Sequence, residues 1–386
     1  MKRFLTLLIT ACLLLSLLCG CCSDLLAPTE PPVSLGTNLD IFPVYENLTA
    51  DEKTIYDGIR TAIGAHSEEL IHIGTYSTEE ELENAEKRLD KMFRQVVYSC
   101  PDYFWVNLYH YQFQTAETKN GYELKLKLQY IMGQEEAAEK NKLYEARVNA
   151  IVESAQQIPD LFTQVLFVHD YILSTTKYDK SLAESNDNSH LDLSAYGCLV
   201  NGNTICSGYA LAFRSIMQRL GIECGVEFNT YAEITLANGH VWNYCKLDGE
   251  YYYFDLTWDD TGFDSDTYRP YLEYSHLYFG ITSDDLALAT YDLDPNAPTP
   301  DCTGKAYNYF IYQGLNFESY SFDAVKPVIQ SRSEEKAIFL RFDSYYELEQ
   351  AKIDLIDNQR IFDILDVDEL QYVVSDTDLH LLLLIG

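Results

Sequence analysis

Two strand-like runs, Gly239–Leu247 and Glu250–Trp258, are separated by only Asp248 and Gly249. An Asp-Gly dipeptide in that setting favours a two-residue turn with positive φ at both central positions, and so short a turn fixes the pairing of the strands it joins. Leu247 then faces Glu250, and Trp242 faces Asp255. Side chains alternate along a strand, so His240 and Trp242 share one face. His240 and Asp255 become diagonal neighbours, about 7–8 Å apart at the backbone and closer at their tips. A slip of one residue would send the imidazole and the carboxylate to opposite faces. In the predicted register the carboxylate can hold the imidazole in one tautomer and stabilise its protonated form.

Upstream lies Gly202-Asn203-Thr204-Ile205-Cys206-Ser207-Gly208-Tyr209-Ala210, followed by Leu211, Phe213, Ile216, Met217 and Leu220 at helical spacing and by Gly221 as a stop. Cys206 is thereby placed at a helix N-terminus. The unpaired amides there favour negative charge, which shifts a thiol toward its nucleophilic thiolate. The amide of Cys206 itself can bind an oxyanion. Cysteine, histidine and aspartate in this order point to acyl transfer. His240 takes the proton of Cys206, the sulfur attacks a carbonyl, and a thioester forms.

At Thr204–Ala210, Gly239–Asn243 and Tyr253–Asp260 (YFDLTWDD) the sequence resembles the transglutaminase-like superfamily. His169-Asp170-Tyr171, Tyr178-Asp179 and Tyr278-Phe279 resemble flanking features of its bacterial extracytoplasmic members, so the likeness spans about residues 160–285. It implies an α+β fold, papain-like in its core, with the cysteine helix packed on an antiparallel sheet. It also implies Cys206 as nucleophile, His240 as base and Asp255 as orienting acid. The second oxyanion donor of that family has no clear counterpart. Asn203, Asn201, Tyr178 and Trp242 are the candidates, with Trp242 reading rather as a wall of the cleft. Asn243 falls on the face opposite His240 and reads as structural.

The N-terminus sets an address. Lys2 and Arg3 precede an apolar run, Phe4–Leu18, too short to span a bilayer and suited to a signal peptide. Leu18-Cys19-Gly20-Cys21 resembles the bacterial lipoprotein signal, which implies lipidation of Cys21 and placement on the outer face of the cytoplasmic membrane. Acyl chains anchor with about 0.8 kcal/mol per buried methylene. The expected organisation is a signal peptide (1–20), a proline-bearing tether (21–39), an N-terminal α+β domain (40–150), a catalytic domain (151–290) and a small C-terminal α/β appendage (300–386).

Within that frame, Thr49 with Glu52 and Ser77 with Glu80 read as capping boxes. Tyr122–Tyr130 reads as a half-buried strand with a partner near Trp105–Phe113, Gln134–Gln157 as a helix, and Asp160 as the cap of a helix to Ser174. Lys180–Asp192 reads as a loop. In the C-terminal part, Lys336–Phe342, Leu370–Val374 and Leu379–Ile385 read as strands and Tyr345–Leu355 as a helix.

With 60 acidic residues against 27 basic ones, the formal charge of −33 excludes nucleic acid as a main partner. The expected partner is a protein or peptide substrate, cell-wall peptides included, and membrane contact is through the lipid alone. No cofactor is implied. No CxxC pair exists among the ten cysteines, which argues against zinc, and disulfide pairings are not readable from spacing. Asp255, Asp259, Asp260, Asp264 and Asp266 do not have the spacing of a helix-loop-helix calcium site and read as a solvated acidic turn. His66, His72, His110, His190, His276 and His380 show no partner pattern. Water resolving the thioester would make a peptidase or amidase, the favoured reading; an amine would make a cross-linking transglutaminase. A surface binding module on the same fold is the non-catalytic alternative.

Overall fold

The computed structural model describes residues 45, 48–185, 187–229, 239–261, 271–289 and 299–385. The segments expected as signal peptide and tether, Cys21, Asp264 and Asp266 lie outside these residues. The fold is α+β.

Thr49 caps α1 (Ala50–Gly64) by accepting from Glu52 N, while the Glu52 carboxylate accepts Thr49 N at 2.9 Å, the expected capping box. Strand β1 (Ile71–Tyr76) follows. The cap of α2 (Glu79–Ser99) is Thr78, one residue beyond the expected Ser77. Thr78 accepts from Glu81 N, and Ser77 donates its own N–H to the Glu81 carboxylate. A hydroxyl with an acid three residues on occurs in both frames, so the pattern alone does not choose between them.

The hairpin of β2 (Gln112–Thr118) and β3 (Gly121–Lys127) turns at Lys119-Asn120, with Thr118 opposite Gly121. That turn moves most of the partner strand beyond the expected 105–113, where only Gln112 and Phe113 join the ladder and Val106 makes an isolated bridge with Tyr130. Strand β1 pairs with the other edge of β3.

Two helices follow: α3 (Gln134–Gln156) and α4 (Leu161–Thr175), the latter capped as expected by Asp160, which accepts Thr163 N at 2.8 Å. Strand β4 (Lys177–Tyr178) lies parallel to β5 (Asn203–Thr204). The intervening segment, expected as a loop, contains a one-turn helix α5 (Lys180–Ala183). Helix α6 (Cys206–Arg219) is buried from Cys206 through Gln218. Polar Ser207, Arg214, Ser215 and Gln218 are buried along with its apolar residues, so the helix is enclosed on all sides. It packs on α3 and α4 on one side and on strands β6 (Cys224–Phe228) and β7 (Val241–Leu247) on the other. Gly221 ends it at φ +79°, as the sequence implied.

Strand β8 (Glu250–Phe254) pairs with β7 in the expected register, Leu247 opposite Glu250 and Asn243 opposite Phe254. Asp248 and Gly249 both have positive φ, 49° and 94°. Helix α7 (Leu256–Thr261) follows, then β9 (Phe279–Ile281), which completes the antiparallel sheet β6-β7-β8-β9, and α8 (Ser283–Leu288). One apolar core runs from Tyr56 and Ile59 through Val96, Leu124, Tyr144 and Val165 to Phe213 and Phe279. Burying side chains of this size contributes about 1.5–3 kcal/mol each.

The remaining elements are α9 (Tyr309–Tyr312), β10 (Asn316–Phe317), α10 (Phe322–Ser331), β11 (Ala337–Phe342), α11 (Tyr345–Lys352), β12 (Gln371–Ser375) and β13 (His380–Leu384). They form the sheet β10-β11-β13-β12 over a second core of Val325, Leu340, Leu348 and Leu381.

Gly208 is the third residue of α6. A Cβ there would fall inside contact distance of Thr204 Oγ1 and 2.8 Å from the Ser194 carbonyl oxygen. Thr204 cannot withdraw, because it is fully buried and its hydroxyl donates to Asp192 O at 2.5 Å. Gly208→Ala should therefore cost about 1–3 kcal/mol, read as a lower urea midpoint.

Candidate active site

The first residue of α6 is Cys206, preceded by Ile205 in extended conformation. As the first two helical residues, Cys206 and Ser207 present amides that have no acceptor within the helix. The Cys206 sulfur is a free thiol, largely buried, and lies 3.9 Å from the Gly239 carbonyl oxygen. His240 follows that carbonyl. Its backbone N–H donates to Asn229 Oδ1 at 3.0 Å, and its carbonyl accepts Asn229 N at 3.2 Å, which anchors the chain just before β7 to the end of β6.

The diagonal pair forms as the register required. His240 Nε2 meets Asp255 Oδ2 at 2.6 Å. A carboxylate only accepts, so Nε2 carries the proton and Nδ1 is left to face the thiol. Asp255 is 1% exposed, and its second oxygen, Oδ1, accepts Trp258 N at 3.1 Å, so one carboxylate both holds the imidazole and caps α7. Burial alone would push His240 down. The charge of Asp255, its hydrogen bond and a hydrogen bond to Cys206 outweigh burial and push it up to about 10. The imidazolium is therefore the favoured state at neutral pH.

Among the other candidates, Trp242 stacks beside His240, ring centroids 5.5 Å apart, and is fully buried in a core cluster with Tyr244, Tyr253 and Ile281. Asn203 donates its amide to Asp179 Oδ2 at 2.7 Å and to Asp192 Oδ2 at 3.4 Å, which engages it away from the thiol. Asn201 likewise donates to Asp192, at 2.6 Å. Tyr178 remains next to Cys206: burial first, then the charge of Cys206, pushes its hydroxyl up. Asn243 is structural as expected, donating to Ala210 O and Gly225 O at 3.0 Å each.

Two residues escaped the sequence reading. Tyr109, between α2 and β2, bonds Ser207; burial and then Cys206 push it up to about 12. Nothing in its aromatic-rich surroundings marked it. Trp258 is 44% exposed, with its ring edge-on to His240 at 6.1 Å and tilted against Tyr278 at 6.3 Å. It lay inside the YFDLTWDD block, where its exposure was not legible.

The acidic run needs correction. Asp259 is fully buried and Asp260 partly so, and both are engaged by protein. Asp259 accepts His169 Nε2 at 3.0 Å and Ser275 Oγ at 2.7 Å; Asp260 accepts Tyr178 N at 3.1 Å and Tyr209 Oη at 2.5 Å. These donors come from distant parts of the chain, which spacing does not reveal. His276, which shows no partner pattern in the sequence, bonds Asp170 at 2.8 Å. His169, Asp170 and His276 are, among the described residues, a set whose polar atoms lie within 4.8 Å of one another. Both nitrogens of His169 face carboxylates, Asp170 at 2.9 Å and Asp259 at 3.0 Å, so both donate and no lone pair is left for a metal.

His240 and His169 are both held above the ordinary 6.5, at about 10 and about 9. Raised values mean that the folded state binds the proton more tightly than the unfolded chain. The stabilisation is complete below about 6.5 and is lost as pH rises toward 9–10. The urea midpoint of the wild type should fall across that window, and Asp255→Asn should flatten the fall by removing the share of His240. An identical slope in the variant would refute the protonated pair.

Residues 149–256 match the model of the Transglutaminase-like superfamily. No curated protein matches the chain. Among solved structures, the chain is similar to one titled a "putative cysteine protease" from Cytophaga hutchinsonii, with 12% identity and a TM-score of 0.24, over 38% of this chain and 62% of that one. It is also similar to a TGase, with 15% identity and a TM-score of 0.28, over 40% and 45%. A third is titled a "putative protease" from Parabacteroides distasonis, with 12% identity and a TM-score of 0.22, over 37% and 35%. The chain thus spans less than two thirds of each of these proteins. It carries a transglutaminase-like domain at residues 149–256, and Cys206, His240 and Asp255 all lie within it.

Proposed function

We propose that this chain is a lipid-anchored, extracytoplasmic thiol enzyme that cleaves amide bonds of proteins or cell-wall peptides. The observation that carries the reading is the 2.6 Å contact of His240 with buried Asp255, beside a thiol on the first residue of a buried helix. In the proposed reaction the Cys206 sulfur, its proton held by His240, attacks the amide carbonyl. The developing oxyanion is met by the Cys206 amide and by the hydroxyl of Tyr178. His240 then protonates the departing amine, and a thioester remains on Cys206. Water, activated by the now neutral His240, releases the acid. Asp255 keeps Nε2 protonated throughout, so that Nδ1 is always the nitrogen that exchanges protons with sulfur and substrate. Exposed Trp258 supports a substrate wall on the solvent side of His240.

Incubation with peptide libraries, with and without a primary amine and read by mass spectrometry, tests the reaction. Hydrolysed amides with wild type and none with Cys206→Ala are expected. Amine adducts in place of acids would make the chain an acyltransferase, and no product of either kind would refute the enzyme. His240→Ala should slow alkylation of Cys206 near neutral pH by about 10²-fold or more. For the anchor, Cys21→Ala should move the protein from the detergent phase to the aqueous phase on partition; retention in detergent would refute lipidation at Cys21.

A further inference from the structure

His169 lies in α4 and is completely buried. Its Nδ1 bonds Asp170 at 2.9 Å and its Nε2 bonds Asp259 at 3.0 Å. Carboxylates offer no proton, so both ring nitrogens donate and the ring is a cation inside the protein. His276, from the segment before β9, lies 5.2 Å away between ring centroids, bonds the same oxygen of Asp170 at 2.8 Å, and stacks on Tyr309 of α9. The edge of Phe279 of β9 closes another side at 5.2 Å. Burial would push His169 down; the two carboxylates outweigh it.

Asp259 connects this cation to the triad. It sits one helical turn after Asp255, and its N–H donates to Asp255 O at 3.1 Å. Its Oδ1 accepts Tyr278 N at 3.1 Å, and Tyr278 O accepts Asp255 N at 3.1 Å. The backbone of Asp255 is thus held on both sides by groups that Asp259 holds in turn. A fully buried carboxylate needs a countercharge to remain where it is, and His169 is the cation facing it.

We propose that His169 is a positioning residue for the triad: as a buried cation clamped between Asp170 and Asp259, it fixes α7 and thereby sets the Asp255 carboxylate against His240. This rests on the triad reading above, and it adds a device that acts from a different helix through Asp259.

The test reads His240 itself in the full chain. Histidine ring resonances are titrated by NMR, with His240→Ala identifying the signal. In the wild type His240 should titrate far above 6.5. In His169→Gln, folded by near-ultraviolet circular dichroism, the midpoint should drop toward about 7, the range of an imidazole without a close carboxylate. Adding His169→Gln to Asp255→Asn should change His240 no further, because the two act along one line. If His169→Gln does not fold, the paired change His169→Gln with Asp259→Asn removes the uncompensated charge and should restore folding and most of the elevation. An unchanged midpoint in folded His169→Gln, or effects of His169 and Asp255 that simply add, would overturn the proposal. The titration needs no substrate. A chain in which Cys206 alkylates equally in wild type and His240→Ala would fail the triad reading, while the clamp would still be decided by His240.

Discussion

Asp255 is a carboxylate almost entirely removed from water, and it must satisfy both oxygens with protein donors. One goes to Trp258 N, the other to His240 Nε2. These two bonds explain why several otherwise separate features coincide. The hairpin has to turn in two residues, or His240 would not reach. The chain has to enter a helix immediately after β8, or Oδ1 would have no donor. Strand β9 has to come alongside, because Asp255 N donates to Tyr278 O. An unpaired charge in this place would cost several kcal/mol, so the three elements are fixed together or not at all.

The part of the site legible in the sequence is the part governed by local rules. The Asp-Gly turn set the register, and alternation then placed His240 and Asp255 on one face without any tertiary information. The buried helix beginning at Cys206 was readable for a similar reason, since its apolar spacing and its glycine stop are properties of the segment alone. The caps at Thr49 and Asp160 belong to the same class. Where two frames satisfied one rule, as at Ser77 and Thr78, the reading missed by a residue.

What stayed hidden depends on contacts between distant segments. Asp259 and Asp260 look like an acidic surface turn until donors arrive from His169, Ser275, Tyr178 and Tyr209. Tyr109 reaches Ser207 from a different layer of the fold. Strand β1 is short, with Gly74 in its middle and a register shift between His72 and Gly74, which blurs the alternation that would mark it. The second oxyanion donor was open among Asn203, Asn201, Tyr178 and Trp242 because the choice turns on which of their polar groups other residues already engage.

The same contrast singles out one sulfur. Burial pushes Cys198 up to about 12 and also pushes Cys245 and Cys302 up, the response of thiols enclosed in apolar surroundings. Cys206 is buried as well, yet it opens a helix and has an imidazole for a neighbour whose far nitrogen is held by a carboxylate. Enclosure alone raises those thiols, whereas Cys206 shares its buried position with an imidazole and with the first amides of a helix. Low dielectric strengthens each of those interactions, so the burial that raises a core thiol is what would allow this one to react.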